Sequence, residues 1–267
     1  MNLGGSHISL ASRPLGNVRV GPDPVGHVAI PFAVPEQVLG SSAPTVWIDS
    51  RAVDATPGTV KRDRSGNGND LTHLVAGGGG LAITATSTGA LALTFTGNSA
   101  ERLGTPSIDL TGTPRCTVAY VFESSALAVE IIAEFSANNN LNTDAFVHSY
   151  TATRLLSLSM FKGAAQYNTS RTVSAYGTPQ TVFCVRMDRT ELTDQSTHWA
   201  DGAPVAVTRP ATAQVAGNFG NHALYIGDRA GGAAPLTAKV AQLLVWDRYV
   251  SDAELQAIWP ALKSIAG

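Results

Sequence analysis

Glu130 and Glu134 are the only acidic pair set four residues apart inside an apolar run, Val129-Glu130-Ile131-Ile132-Ala133-Glu134-Phe135. Two carboxylates flanking a glycosidic bond can cleave it, and a retaining pair stands about 5–5.5 Å apart. On a strand these two would share a face about 13 Å apart, at ~3.3 Å per residue, which is too far. A solvated strand face is their expected setting. His148, Tyr150 and Arg154 are the residue types of a polysaccharide lyase, but closeness in sequence is all that groups them. No Gly-x-Ser-x-Gly elbow exists to present a nucleophilic serine. The glycine run 77–80 leads into Leu81 without the Lys and helix start of a phosphate loop. The six histidines, His7, His27, His73, His148, His198 and His222, show no paired metal-ligand spacing. Sugar binding would use exposed aromatic rings beside amides. Trp199 next to a hairpin, and Tyr167 and Tyr176 in a polar loop, are the candidates. Trp47, Trp246 and Trp259 read as core. With no catalytic constellation, the chain reads as a non-enzyme.

The elements that position these residues are mostly strands. In 267 residues only 14% are charged, against about 25% in an average soluble domain, while Gly reaches 26 and Pro 14. This suits short strands joined by tight turns. Leu91-Ala92-Leu93-Thr94-Phe95-Thr96 alternates apolar and polar residues, as a half-buried strand does. Cys116 to Phe122, Thr181 to Met187 and Val240 to Trp246 also read as strands, the second of them central, and Val129 to Phe135 is read as strand because Val and Ile dominate it. Asp201-Gly202 marks a hairpin turn. About a dozen strands at this spacing imply a sandwich or barrel. One helix is signalled at the end, where Ser251-Asp252-Ala253-Glu254 is a capping box followed by Leu255, Ile258 and Trp259 on one face. Pro260 is expected to kink or end it. Cys116 and Cys184 read as buried free thiols, a bond between them remaining open until the strand order is known.

Residues 1–44 differ from the rest. Six prolines separate short apolar pieces carrying Ile8, Leu10, Val18, Val20, Val28, Ile30, Phe32 and Val34. Dense proline favours extended backbone. The expectation is an arm laid on another surface, its own domain or a neighbouring subunit. No basic region followed by an apolar core suggests a leader, and no apolar run approaches the roughly 20 residues that cross a bilayer. A net charge of −2 argues against a nucleic-acid partner, and no membrane partner is expected.

Two segments resemble the laminin-G-like, concanavalin A-like jelly roll. The first is Val46-Trp47-Ile48-Asp49-Ser50 with the turn Asp63-Arg64-Ser65-Gly66-Asn67-Gly68-Asn69-Asp70. The second runs from Leu224-Tyr225-Ile226-Gly227-Asp228-Arg229 through Val245-Trp246-Asp247-Arg248 to the capped helix. The resemblance covers residues 45–267 and implies an all-β, two-sheet antiparallel jelly-roll sandwich with one short C-terminal helix, preceded by the extended N-terminal arm. It also implies that a calcium ion is a candidate ligand, with Asp49, Asp63, Asn67 and Asp70 as donors and Asn69 beside them; turn geometry is the alternative use of these residues. No cofactor other than calcium is expected. Such a domain with an apolar arm resembles a bacteriophage virion component, a capsid decoration (cement) protein or a fibre or tail-associated subunit. That reading expects folding in a host cytoplasm, localisation in the virion, and other virion proteins, copies of itself and a host surface glycan as partners. The alternatives are a carbohydrate-binding module for a cell-surface glycan and a polysaccharide-degrading enzyme.

Overall fold

The computed structural model describes residues 44–51, 60–61, 63–74, 81–124, 127–137, 143–162, 165–209 and 215–266. The arm residues Ile8, Leu10, Val18, Val20, Val28, Ile30, Phe32 and Val34 and the glycine run 77–80 lie outside them. In chain order the strands are β1 (Val46–Asp49), β2 (Val60–Lys61), β3 (Leu71–His73), β4 (Ala82–Ala85), β5 (Leu91–Thr96), β6 (Leu103–Asp109), β7 (Arg115–Glu123), β8 (Glu130–Ser136) and β9 (Phe146–Tyr150). They continue with β10 (Leu156–Lys162), β11 (Ala165–Thr172), β12 (Thr181–Asp188), β13 (Ser196–Ala200), β14 (Ala203–Pro204), β15 (Val207–Thr208), β16 (Asn221–Ile226) and β17 (Thr237–Trp246), before helix α1 (Asp252–Ala266).

The strands form two antiparallel sheets. The eight-stranded sheet has the order β14-β13-β12-β7-β17-β5-β4, with β1 also on β17; the nine-stranded sheet has the order β15-β11-β10-β9-β8-β16-β6-β3-β2. Between them lies the main core, where Phe95, Val118, Tyr120, Phe122 and Leu243 meet Phe135, Phe146, Tyr150, Leu158 and Leu224. Pro106 is tolerated within β6 because the register shifts there against β16, and the Thr105 hydroxyl accepts the Leu224 N–H at 2.9 Å at that shift.

A second core covers the outer face of the eight-stranded sheet. Leu255, Ile258, Trp259 and Leu262 of α1 pack on Trp47, Ala119, Val121, Val182, Cys184, Trp199, Leu244 and Trp246. Strands covered on both faces read as continuous apolar runs, which is why β7, β12 and β17 show so little alternation. The capping box forms as expected: Ser251 N–H donates to Glu254 at 2.9 Å, and Glu254 N–H to the Ser251 hydroxyl at 3.2 Å. Pro260 does not end the helix, which continues to Ala266. Pro260 and Gln256 both face solvent, so water can serve the carbonyl four residues back that proline leaves without a donor. Arg186 fastens the helix start. Its buried guanidinium lies between the rings of Trp199 (5.2 Å) and Tyr249 (4.7 Å). It donates to Val250 O at 3.1 Å and pairs with Asp252.

Two histidines sit in the main core. His148 is stacked between Tyr120 (5.1 Å) and Phe183 (5.4 Å), and His198 Nε2 lies 2.8 Å from the Ser170 hydroxyl. Burial holds both rings down at about 3; for His198 the proximity of His148 and Arg209 adds to it.

Arg186→Met keeps the volume and removes the charge, and should cost about 2–4 kcal/mol in urea unfolding, with α1 detaching first. An unchanged midpoint would mean that apolar contact alone holds the helix. The histidines make a second expectation. In the unfolded chain they bind protons near pH 6.5, whereas in the fold they stay neutral down to about 3. Stability is therefore full above pH 6.5 and declines as pH falls from there toward 3. The slope for two such groups is about 2.7 kcal/mol per pH unit. Denaturation midpoints measured across this range should fall accordingly, and His148→Phe should remove about half of the slope.

Candidate functional site

Helix α1 covers only part of the outer face of the eight-stranded sheet. On β5 that face carries Ala92 under the helix and then Thr94 and Thr96 beyond it. On β7 it passes from Val121 to Glu123, and on β17 the residues before the register shift at Ala241 are Thr237 and Lys239. Register aligns them: Thr94 faces Lys239, Lys239 faces Glu123, and Thr96 faces Thr237. The helix-free half is therefore polar where the covered half is apolar.

These residues floor an open groove of about 420 Å³, lined by Ser87, Thr94, Phe95, Thr96, Glu123, Ser124, Thr178, Thr237, Ala238 and Lys239. That volume is within the ~300–1,000 Å³ range of ligand sites. Six of the ten lining residues carry a hydroxyl; their protons are engaged within the fold, as by Ser87 to Glu123, Thr96 to Glu101, Ser124 to Thr237 O and Thr178 to Ser124 O, which leaves oxygen lone pairs as acceptors. The turn between β4 and β5 makes one wall and is clamped to the floor. Lys239 donates to Ala85 O at 2.6 Å and stands 3.8 Å from Glu123, while Ser87 N–H donates to Glu123 at 2.6 Å. Thr84 and Thr94 hydroxyls lie 2.7 Å apart. At the far end Thr96 N–H donates to Glu101 at 2.5 Å and its hydroxyl at 2.7 Å. Burial raises the Glu130 carboxyl, and hydrogen bonds from the Thr237 N–H and hydroxyl oppose this.

The sequence-expected sugar-binding aromatics do not form this site. Trp199 is 7% exposed, in the core beneath α1, because its strand runs under the helix. Tyr176 is half-buried and packs on Phe183 and the main core. Tyr167 lies in strand β11 rather than in a loop, since β10 and β15 pair on either side of that strand.

The proposed metal donors have other partners. Asp49 is buried, and although burial pushes its carboxyl up, hydrogen bonds and charge from Arg51, then Arg64, keep it below its usual range. Asp63 accepts the N–H groups of Trp47 (2.9 Å), Ser65 (2.9 Å) and Asn69 (3.0 Å). Asp70 accepts Asp63 N–H at 2.7 Å, and the amides of Asn67 and Asn69 donate to Thr45 O at 3.1 and 2.8 Å. The loop thus folds around the start of β1. Among the described residues no three His, Cys, Asp or Glu side chains are grouped to hold a metal ion.

Glu130 and Glu134 are not on a solvated face. Both are buried, and a register shift near Ile132 breaks the simple alternation between them. Glu134 pairs with Arg229 at 3.3 Å and accepts the Ser136 hydroxyl at 2.5 Å. His148 and Tyr150 face the core rather than a concave surface, Tyr150 donating to Tyr176 O at 2.5 Å. Cys116 and Cys184 are free and buried, burial pushing the Cys184 thiol up to about 12. Sequence reasoning missed the groove because its residues come from β5, β7 and β17, and only register joins them. The Thr94-x-Thr96 alternation was its one local trace.

No protein-family model matches the chain, and no curated protein does. Solved structures match most of it. Trypanosoma rangeli sialidase in complex with 2,3-difluorosialic acid, a covalent intermediate, aligns at a TM-score of 0.53 and 16% identity, over 84% of this chain and 33% of that one. The botulinum neurotoxin serotype G binding domain aligns at 0.61 and 8% identity, over 83% and 51%. The binding domain of botulinum neurotoxin DC in complex with SialylT aligns at 0.58 and 6% identity, over 82% and 52%. The chain therefore spans about a third of the sialidase and about half of the toxin binding domains. At these identities the likeness establishes the fold alone, a two-sheet antiparallel jelly-roll sandwich.

Proposed function

We propose that this domain is a glycan-binding module and that its ligand lies in the groove on the helix-free half of the eight-stranded sheet. The observation that carries the reading is the hydroxyl-rich concave lining on rigid strands, bounded by a clamped turn. Strand-borne polar groups are held in fixed positions, and few other ligands match so many hydroxyls as a sugar does. The fold is shared with a toxin binding domain solved with SialylT and with a sialidase solved with a sialic acid derivative, which supports the glycan class.

Binding is favoured over turnover because the nearby carboxylates are engaged by donors of the fold itself. Glu123, Glu101 and Glu130 each accept a backbone N–H, from Ser87, Thr96 and Thr237. The virion assignment finds no support in these residues or in the structural neighbours, and the arm it relied on lies outside the described residues. The binding-module reading replaces it.

A glycan array followed by calorimetry on the best binder tests the proposal. Thr94→Val and Thr237→Val remove a hydroxyl while keeping the branched shape, and each should weaken binding about 5-fold, roughly 1 kcal/mol; the melting temperature should change little for Thr94→Val and fall for Thr237→Val, whose hydroxyl also serves the buried Glu130. A chelator should leave the affinity unchanged. Full affinity in the double variant would place the ligand elsewhere.

A further inference from the structure

The sign of the charge around the groove narrows the ligand further, on the footing of the glycan reading above. Its lining holds a single cation, Lys239, and none of the ten residues is an arginine. That ammonium is already engaged, by Ala85 O at 2.6 Å and by Glu123 at 3.8 Å. Both side chains of the pair are partly sheltered, 31% and 18% exposed, so solvent screens their charges only in part. Two more carboxylates touch the lining from outside, Glu101 through Thr96 and Glu130 through Thr237. Among the described residues, three carboxylates and one ammonium thus line the groove or hydrogen-bond to its lining.

Recognition of a sugar carboxylate calls for the opposite arrangement, a planar guanidinium giving two parallel hydrogen bonds, or an unengaged ammonium. An acidic sugar seated on Lys239 would also bring its own charge close to the fixed carboxylate of Glu123. We infer that the groove takes uncharged glycans and disfavours sialylated ones, in contrast to the sialic acid derivatives bound by structural neighbours of the same fold. The arginines that lie on the outer side of the molecule at the other sheet do not alter this. Arg229 pairs with the buried Glu134, and Arg102 donates to Arg229 O at 3.0 Å and to Ala230 O at 2.5 Å. Both stand apart from the groove lining.

The test is titration of the intact chain with matched oligosaccharides, each neutral glycan paired with its sialylated counterpart, at low and at moderate salt. The neutral member should bind about tenfold or more tightly than its partner, with the gap closing as salt rises. Glu123→Gln keeps an acceptor for Ser87 and removes the charge, and should narrow the gap about 3- to 10-fold by strengthening binding of the sialylated member. Equal or tighter binding of the sialylated members to the wild-type chain would overturn the inference while leaving the glycan reading intact. So would a gap that Glu123→Gln does not change. Binding of neither member of any pair would instead overturn the glycan reading itself.

Discussion

An eight-stranded sheet with apolar residues on both faces has to be covered twice, and α1 is long enough to cover its outer face only in part. The helix hides the three tryptophans Trp47, Trp199 and Trp246 with a fourth of its own, Trp259. Arg186, sandwiched between Trp199 and Tyr249, ties the first turn of α1 to the sheet. Where this cover ends, each strand changes character at once: Ala92 gives way to Thr94, Val121 to Glu123, and Ala241 to Lys239. Apolar burial is worth about 25 cal/mol per Å², so residues beyond the helix have no such reward and are polar. The groove exists because the helix stops.

The same boundary is marked in the backbone. Strand β17 pairs with β5 over its first residues and with β1 over its later ones, the register shifting between Val240 and Gln242. Ser50 sits at that junction. Its N–H donates to Ala241 O at 3.1 Å, and its hydroxyl lies within reach of both Ala241 O (2.9 Å) and Leu91 O (2.5 Å). One small side chain thus fastens three strands at the line between the packed and open halves. A bulge there also redirects the side chains that follow, as bulges near functional sites do. Beneath, the sandwich is closed by aromatic and imidazole rings crossing between sheets, with Tyr120, His148 and Phe183 in one stack.

Much of this was legible in the sequence, and the rest fails for identifiable reasons. Strand β5 was read to the residue, β7, β8 and β12 within one or two residues, and the helix at its capped start, because hydrophobic pattern and capping are local signals; the helix end was not, since the chain runs past Pro260 to Ala266. Strand β6 was missed because Gly104 and Pro106 interrupt it, and β11 because its residues are mostly polar. The three tryptophans taken as core are core, whereas Trp199 was placed at the surface by its hairpin. The hairpin is real, with Asp201 and Gly202 both at positive φ, but its strand lies beneath α1, which no local pattern could say. The Asp63 loop takes the turn-geometry use that the sequence also allowed. Its oxygens resemble a cation site in sequence, yet they are spent on the N–H groups of Trp47, Ser65 and Asn69. Glycine 68 explains itself: at a φ of 78 it needs the freedom that Asn67-Gly68 supplies. The groove was invisible because its parts stand more than a hundred residues apart along the chain, from Thr94 to Lys239.

If the groove is the glycan site, sugar contacts fall on the open half of the eight-stranded sheet. Amide chemical shifts followed by NMR during titration with a neutral oligosaccharide selected from the array read this directly. The perturbed amides should cluster at the ends of β5, β7 and β17, around Thr94, Ser124 and Lys239, and in the turn holding Ser87. Perturbations centred on the outer face of the nine-stranded sheet, around Tyr225 and Arg229, would contradict it.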